Sequence, residues 1–305
     1  MGNNKKIVVI GSSNTDMVIK VDHLPLPGET IIGYDFMTNQ GGKGANQAVA
    51  VARLGGDTVF IARLGDDVFG AATLKQLKTE GMDTTFVKLT PGATTGVALI
   101  PVDKKGENSI IVASGANALL SVDDIKAAES QITSASILLM QLETPIPTLT
   151  YAAKIAHAAG VKVVLNPAPF PKEGLPADLL CNVDIITPNE TEAAAMSGVQ
   201  ITDNVSALKA IKAIQAKGVQ TVIVTAGKLG AYTYADGQLN LVPAVPVKAV
   251  DTVAAGDTFC GGLCVALGKG YSLLDAVRIG NKAASIAVTR VGAQPSVPKA
   301  EEVFE

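Results

Sequence analysis

Short apolar runs that alternate with segments of helical spacing constrain the fold of this chain more than any other feature. The apolar runs are too short for helices and are bounded by turn residues. They lie at residues 7–10, 59–62, 137–142, 161–165, 185–187 and 221–225. Helical spacing covers residues 44–54, 68–80, 121–131, 147–159 and 205–217. This alternation predicts an α/β fold with a doubly wound, mostly parallel sheet and helices on both faces.

The composition fits such a core. Hydrophobic residues make up 48% of the 305 residues and tryptophan is absent, so the core is built from small and aliphatic side chains. A core of that kind is typical of parallel sheets that helices cover on both faces. The length suits one large α/β domain, and we expect residues 1–305 to form a single domain.

Two segments interrupt the alternation. Strand-like runs at 17–24 and 30–37 surround a Pro/Gly-rich turn, and runs at 96–102 and 109–113 flank the turn Lys-Lys-Gly-Glu-Asn. Four strands without helices cannot belong to a sheet that is covered on both faces. They predict a small antiparallel β lid, from about 16–38 and 96–113. An exposed sheet with one apolar face is best covered by a second copy, so we expect a homodimer through this lid.

Charge and cysteine content narrow the partners and the compartment. A net charge of −3 predicts no nucleic-acid partner and no anionic membrane surface, and no uncharged apolar stretch reaches the length of a membrane helix. The N-terminal residues lack the features of a signal peptide. Three cysteines favour a reducing compartment, so we expect a cytoplasmic protein. Cys260 and Cys264 lie one helical turn apart without a nearby histidine, which favours helix packing over metal binding.

The run DTVAAGDTF at residues 251–259 carries the strongest functional signal. Small residues at the start of an apolar helix let backbone N–H groups close on an anion, which the helix dipole also favours. Asp257 would lie beside that anion, placed to deprotonate a hydroxyl that attacks phosphorus. The alternative is an N-capped helix that follows a turn of small residues.

A second glycine-rich segment, NQGGKGAN at 39–46, precedes another helix. Gly41 and Gly42 permit close approach of the backbone to a ligand, while Lys43 and Asn46 offer hydrogen-bond donors. The alternative is a tight turn with a solvated lysine.

Polar residues also follow the carboxyl ends of predicted strands, where open α/β sheets bind ligands. Asn14 and Asp16 follow the first strand, and Glu143 follows the run at 137–142. An Asx-type turn and a solvated acid are the respective alternatives.

Two further strand ends suggest a nucleotide site. Glu192, in the segment 189–192, could hold Mg²⁺ through water, although acids are also common at helix starts. The turn TAGKLG at 225–230 could shape a phosphate or ribose pocket, or be an ordinary turn. Neither a Walker A motif nor a GxGxxG fingerprint is present, which disfavours a dinucleotide oxidoreductase.

Together, the segments at 41–46 and 251–259 resemble the two signature regions of the ribokinase-like (PfkB) family of sugar kinases. Segments at 14–16, 140–143, 166–169, 187–192 and 289–298 are similar to the ribose-phosphorylating members in order and spacing. The resemblance covers nearly the whole chain. It implies an enzyme that transfers a phosphoryl group from ATP to the 5-hydroxyl of D-ribose, giving ribose 5-phosphate and ADP.

The same resemblance implies roles for individual residues. Asp257 matches the catalytic base, and Ala254, Ala255 and Gly256 complete the anion hole with it. The sugar-binding positions are Asn14, Asp16, Gly41, Gly42, Lys43, Asn46, Glu143 and Asp257. The ATP-binding positions are Asn189, Thr225, Gly227, Lys228, Gly230, Gly256 and Asn281, and some members carry histidine at the last of these.

Two metal ions are also implied. Glu192 matches the acid linked through water to the Mg²⁺ that accompanies ATP. An activating monovalent cation, expected to be K⁺, is held largely by backbone carbonyls in this family. Its matching positions are Asp251, Val253, Ala287, Arg290, Gly292 and Ser296.

Alternatives to ribose phosphorylation remain at this stage. A kinase of 2-deoxyribose, fructose or adenosine would keep the same base and anion hole. A non-catalytic sugar-binding protein could have kept the same fold. The sequence does not show which residue meets which sugar hydroxyl.

Overall fold

The computed structural model describes residues 6–304, and within them the strands form two sheets. The strands are β1 (Lys6–Ile10), β2 (Asn14–Lys20), β3 (Tyr34–Gly41), β4 (Asp57–Gly65), β5 (Asp83–Thr90), β6 (Gly96–Val102), β7 (Ile111–Ala113), β8 (Ile137–Met140), β9 (Lys162–Leu165), β10 (Ile185–Ile186), β11 (Thr221–Thr225), β12 (Ala231–Ala235) and β13 (Gln238–Val242). The larger sheet has the strand order β13-β12-β11-β10-β9-β8-β1-β4-β5, and the smaller has the order β3-β2-β6-β7.

Helices cover both faces of the larger sheet. They are α1 (Lys43–Arg53), α2 (Val68–Thr79), α3 (Val122–Ala127), α4 (Glu129–Thr133), α5 (Ile146–Ala158), α6 (Ala177–Leu180), α7 (Glu190–Ser197), α8 (Asn204–Gln215), α9 (Ala255–Gly268), α10 (Leu273–Ala287) and α11 (Ala300–Phe304). No helix between residues 6 and 304 has both the length and the apolar content required to cross a bilayer. The signal-peptide prediction falls partly on residues 1–5, outside the described part of the chain.

Strand β1 shows how the sheet divides two cores. Val8 and Ile10 pack in the core on the side of α3 to α8, whereas Ile7 and Val9 pack in the core on the side of α1, α2, α9 and α10. Successive side chains of a strand point to opposite faces, so a strand covered on both sides is apolar throughout. The predicted fold class, a doubly wound sheet with helices on both faces, is confirmed.

Parallel pairing covers the larger sheet from β11 to β5, and its other edge is an antiparallel hairpin. The hairpin joins β12 to β13 through Asp236 and Gly237, whose φ angles are 52° and 79°. Two consecutive residues with positive φ are typical of the turn that matches the twist of a two-residue hairpin.

The small sheet forms from the predicted lid segments, with different bounds. Strand β2 begins at Asn14 and β3 ends at Gly41, so Asn14, Asp16 and Gly41 lie within strands of the small sheet. The pairs β2–β3 and β6–β7 are antiparallel as predicted, but the central pair β2–β6 is parallel. The chain passes through α1, β4, α2 and β5 between these two strands, which is the long crossover that parallel pairing requires.

Close backbone approaches bring the start of α1 against the β1–β2 connection and its middle against α9. A Cβ on Gly44 would lie 2.5 Å from the backbone of Gly11 and Ser12. A Cβ on Gly261 would lie 2.4 Å from the Cβ of Ala50. Neither position has room for a side chain. Glycine at residues 44 and 261 therefore allows α1 to contact both the β1–β2 connection and α9.

Candidate functional site

Two adjoining clefts lie where the N-termini of α1 and α9 meet the small sheet. The first cleft is lined by Asn14, Val112, Ser114, Asn117, Ala118, Leu142, Glu143, Thr144, Pro145 and Pro169. The second cleft is lined by Lys43, Asn166, Ala168, Thr187, Asn189, Glu192, Thr225, Thr252, Ala254, Ala255, Gly256, Asp257 and Cys260. The backbone N–H of Lys43 in the second cleft donates to Glu143 Oε2 in the first at 3.0 Å, so the clefts share a wall.

Asp257 occupies the first turn of α9 and is 6% exposed. Its Oδ2 accepts a hydrogen bond from Asn46 Nδ2 at 3.0 Å, and its Oδ1 accepts one from Gln47 Nε2 at 2.9 Å. Both donors are neighbouring residues near the start of α1. The predicted base is therefore held by Asn46 of the other signature segment and by Gln47, which follows it.

The residues before Asp257 expose backbone donors to the second cleft. Ala254 caps α9 in the left-handed region, with φ of 57°. The N–H of Ala255 donates to Thr252 O at 3.3 Å, whereas those of Gly256 and Asp257 meet no backbone carbonyl among residues 6–304. Unpaired N–H groups at a helix start are the usual anion donors of proteins. The predicted anion hole thus has two unpaired donors, with the third weakly engaged.

Lys43 is the cation among the carboxylates of the two clefts. Burial lowers the pKa of Lys43, but the nearby charges of Asp257, Glu143 and Glu192 raise it above its ordinary value overall. The side chain therefore remains an ammonium group, and its positive charge lies on the boundary between the clefts.

Asp16 lies on β2, where Gly41 makes room for it. A Cβ at Gly41 would lie 2.1 Å from Asp16 Oδ2. Burial raises the pKa of Asp16 most strongly, and together with the negative charges of Glu143 and Asp257 it brings the pKa to about 7. This carboxyl group is thus divided between its acidic and ionised forms near neutral pH.

Glu143 caps the start of α1. Its Oε2 accepts from Ser12 Oγ at 2.5 Å and from the Lys43 N–H, and Ser12 Oγ in turn accepts from the Gly44 N–H at 3.3 Å. Gly42 precedes this helix with φ of 87°, and a Cβ there would meet the backbone of Ser13 and Asn14 within 3.0 Å. The glycine-rich segment is therefore required to bring α1 onto the strand connection.

Asn14 is oriented by Asn117, a residue that the sequence analysis did not identify. Asn117 Nδ2 donates to Asn14 Oδ1 at 2.8 Å, and Asn117 Oδ1 accepts from the Ser13 N–H at 2.9 Å. The Asn14 oxygen is thereby occupied, so its amide N–H₂ is the group left for a ligand in the first cleft. Partners 103 residues apart carry no local sequence signal.

A line of buried amides was also missed. Gln141 Nε2 donates to Gln47 Oε1 at 2.7 Å, and Gln47 Nε2 donates to Asn166 Oδ1 at 3.1 Å as well as to Asp257. Polar residues inside apolar runs, such as Gln141 after Ile137–Met140, were the only available signal. Buried polar groups are usually hydrogen-bonded, so a glutamine in such a run predicts a buried partner.

On the predicted nucleotide side, Asn189 and Glu192 form a capping box at the start of α7. The Asn189 side chain accepts from the Glu192 N–H at 2.8 Å, and Glu192 Oε2 accepts from the Asn189 N–H at 2.9 Å. Both residues also line the second cleft. Burial raises the pKa of Glu192, although the Asn189 N–H and Lys43 act in the opposite direction. Asn189 and Glu192 therefore cap α7, as the helix-start interpretation predicts. They also line the cleft in which the ligand interpretation places a nucleotide.

The remaining predicted ATP positions are more dispersed. Thr225 lines the second cleft, and its N–H donates to Pro188 O at 2.9 Å. Gly227 and Lys228 are exposed in the turn that follows, and Gly230 is buried with φ of 110°. Asn281 is buried and donates to the carbonyls of Val242 and Pro243 at 2.9 and 3.3 Å. The last four residues are not part of either cleft lining, so their contact with ATP stays a prediction.

The predicted cation positions lie on two loops and at the end of α10. Asp251 joins the two loops through hydrogen bonds. Its Oδ1 accepts from the Val253 N–H at 3.0 Å, and its Oδ2 accepts from the Gly292 N–H at 2.8 Å. Ser296 is fully buried and its hydroxyl donates to Ala293 O at 2.7 Å. Arg290 pairs with Glu302. Ala287 ends α10 beside them.

In the described part of the chain, no three His, Cys, Asp or Glu side chains cluster as metal ligands. A cation at these loops would rely on backbone carbonyls and on Asp251. Cys260 and Cys264 are buried on α9 in the core, and burial raises the pKa of the Cys260 thiol to about 12.

Comparison with known proteins agrees with this site. The family model of the pfkB family carbohydrate kinases matches residues 4–300. A ribokinase of Haemophilus influenzae is 46% identical over 99% of this chain and 98% of its own length. A deoxyribokinase of Salmonella typhi is 35% identical over 98% of this chain and 97% of its own length.

A solved structure, described as Arabidopsis thaliana ribokinase complexed with ribose and ATP, superposes with a TM-score of 0.89 at 33% identity. It covers 98% of this chain and 97% of its own. The match of sequence and fold over nearly the full length places the chain in the pfkB family of carbohydrate kinases.

Proposed function

We propose that this chain phosphorylates the 5-hydroxyl of D-ribose with ATP, giving ribose 5-phosphate and ADP. One observation carries the proposal: Asp257, hydrogen-bonded and buried, lines the second cleft in the first turn of a helix that begins with unpaired N–H groups. The relative named ribokinase, at 46% identity, supports ribose as the acceptor. The structure described with ribose and ATP supports both substrates.

In the proposed reaction, Asp257 takes the proton of the 5-hydroxyl as its oxygen attacks the γ-phosphorus. The new O–P bond forms while the bond to the β-phosphate oxygen breaks, and ADP leaves with that electron pair. N–H groups at residues 255–257 stabilise the charge on the moving phosphoryl group, where a helix start favours an anion. The Lys43 ammonium group adds positive charge from the boundary of the clefts.

The first cleft offers the sugar a mixed set of partners. The Asn14 amide N–H₂ is left as a donor and Glu143 offers acceptor oxygens. Asp16 is not part of the cleft lining, but it lies near Glu143 and would add a further acceptor. Asn46 Oδ1 is buried without a hydrogen-bond partner among the described residues, so a sugar hydroxyl would satisfy it. The small sheet, which carries Asp16, would cover the sugar and exclude water from the transfer.

Two ions complete the proposal. Mg²⁺ usually binds through one or two carboxylates, phosphates and retained water, which fits Glu192, one of the two acids that line the second cleft. When bound with ATP, it neutralises phosphate charge. The loops joined by Asp251 fit a K⁺ ion held by carbonyl oxygens, and their connection to Ala254 would stabilise the anion hole.

The sparse cysteine content supports a cytoplasmic location.

The function is tested by the release of ADP from Mg-ATP with D-ribose, 2-deoxyribose, fructose and adenosine, each in K⁺ or Na⁺. We expect ribose to give the highest kcat/KM, and K⁺ to raise it. The deoxyribokinase relative makes 2-deoxyribose the most informative competitor. Higher kcat/KM with another acceptor would overturn the choice of sugar, and absence of turnover with all four would favour a binding protein.

The matched variants for this assay are Asp257→Asn and Asp123→Asn. The first removes the base and should lower kcat by about 10²–10⁴-fold. The second removes an exposed carboxylate of α3, which pairs only with the exposed Lys126 among the described residues, and should retain wild-type activity. Normal turnover by Asp257→Asn would contradict the proposed base.

The pH dependence of ribose use should follow Asp16. Its pKa of about 7 means that the carboxylate, which accepts hydrogen bonds from hydroxyls, is lost as the pH falls below neutrality. We expect kcat/KM for ribose to decline below about pH 7, because kcat/KM reports groups of the free enzyme. Asp16→Asn should lower kcat/KM by about 10–100-fold and abolish that decline. If kcat/KM for ribose declined in the same way in Asp16→Asn, the decline would belong to another titrating group.

Gly256→Ala separates the anion hole from the stability of α9. A Cβ at Gly256 meets no atom within 4 Å, so the variant should fold and gain helix stability of up to about 0.5–1 kcal/mol. The methyl group would nevertheless enter the second cleft, and kcat/KM for ATP should fall at least about tenfold. Gly268→Ala, on the last turn of the same helix, is the control, because its Cβ has only ordinary contacts. Equal kinetics in both variants would contradict a phosphate site here.

A homodimer through the small sheet is the proposed assembly. Leu99 and Ile111 pair across β6 and β7 on one face and are 47% and 63% exposed. Light scattering at micromolar concentration should give a dimer, and Leu99→Lys with Ile111→Lys should give a monomer, because burying two ammonium groups is costly. Val205→Lys on α8, at a residue 62% exposed, should remain dimeric. A monomeric wild type would refute this assembly.

A further inference from the structure

Gln47 connects the catalytic carboxylate to the core without contacting either cleft. It lies on α1, is fully buried, and belongs to neither cleft lining. Its Nε2 donates to Asp257 Oδ1 at 2.9 Å and to Asn166 Oδ1 at 3.1 Å. Its Oε1 accepts from Gln141 Nε2 at 2.7 Å. All the polar atoms of the Gln47 side chain are therefore used.

The hydrogen bond between Asn166 and Thr187 determines which groups of Gln47 donate and which accept. The carbonyl oxygen of Thr187 can only accept, and Asn166 Nδ2 donates to it at 3.0 Å. Asn166 Oδ1 is therefore turned toward Gln47, which must present its N–H₂ group to it. The same N–H₂ group then donates to Asp257, since an ionised carboxylate is only an acceptor.

The carboxylate of Asp257 is held at both oxygens. Asn46 Nδ2 binds Oδ2 and Gln47 Nε2 binds Oδ1, and the two donors are neighbours on α1. This two-point contact fixes the plane of the carboxylate. Each oxygen keeps a further lone pair, so one of them can accept the proton of the sugar hydroxyl.

We propose that Gln47 is a positioning residue for the base: its hydrogen bond holds the Asp257 carboxylate in the orientation that proton transfer needs. This inference rests on the proposed role of Asp257. Gln47 itself gains and loses no proton during the reaction. Its effect is expected in kcat rather than in the KM for either substrate, because it contacts neither cleft.

Other charged and titratable groups also face Asp257. They are Lys43 on α1, Asp16 on β2, Glu192 on α7 and Cys260 on α9. All four remain in place when Gln47 is replaced, so a change in kcat would come from the lost hydrogen bond.

Gln47→Met keeps the length of the side chain and removes the donor. We expect kcat to fall by about 10–100-fold, with KM for ribose and ATP within about threefold of wild type. A wild-type kcat would overturn the proposal.

Gln141→Met is the matched control. It also removes a buried amide hydrogen bond from the same line, but leaves both hydrogen bonds from Gln47 Nε2 in place. Both variants should therefore lose thermal stability, while only Gln47→Met loses kcat. An equal loss of kcat in Gln141→Met would show that Gln47 acts through packing alone, which also overturns the proposal.

Gln47→Glu provides a second variant in case the methionine variant does not fold. It keeps an acceptor for Gln141 but places a carboxyl group against Asp257. At neutral pH its kcat should be at least as low as that of Gln47→Met, and wild-type kcat would refute the role. The acceptor used is the one that the wild type phosphorylates best. Full activity of Asp257→Asn would overturn the proposed base, whereas an active Gln47→Met beside an inactive Asp257→Asn would overturn only this inference. Failure of the proposed function itself would appear in the wild type, as absence of ribose-dependent ADP release.

Discussion

The contact between α1 and α9 is the constraint on which the site depends. The two helices begin at the two glycine-containing signature segments, and Gly261 against Ala50 lets their backbones approach. That approach allows the amides of Asn46 and Gln47 to reach both oxygens of Asp257. A larger side chain at the crossing would separate a carboxylate from its donors by more than a hydrogen-bond length.

The charges of the two clefts follow from the same geometry. Asp257, Glu143 and Glu192 lie around the ammonium group of Lys43, and Asp16 lies near Glu143 and Asp257. Burial, and after it the repulsion from Glu143 and Asp257, raises the pKa of Asp16 to about 7. Such an excess of negative charge suits a site that would receive a hydroxyl-rich neutral sugar and a metal-neutralised phosphate chain.

Much of the fold was predictable because its signals are local. The apolar runs at 137–142 and 221–225 appear in the structure as β8 and β11. Strand β5 was missed, because this edge strand pairs with β4 alone and its sequence DTTFVKLT contains no long apolar run. The small sheet was placed correctly along the chain, but its strands extend to Asn14 and Gly41, where polar residues replace the apolar pattern.

The sequence by itself determined the α/β class, the two glycine-containing helix starts and the identity of Asp257 as the candidate base. Each of these features depends on a few neighbouring residues, whose conformational preferences act locally. The tertiary structure alone decided how these residues meet. Gln47 and Asp257 are 210 residues apart, and Asn117 and Asn14 are 103 apart, so no spacing rule joins them. Their pairing follows from packed helices and strand register, which fix buried donors and acceptors only when the whole chain has folded.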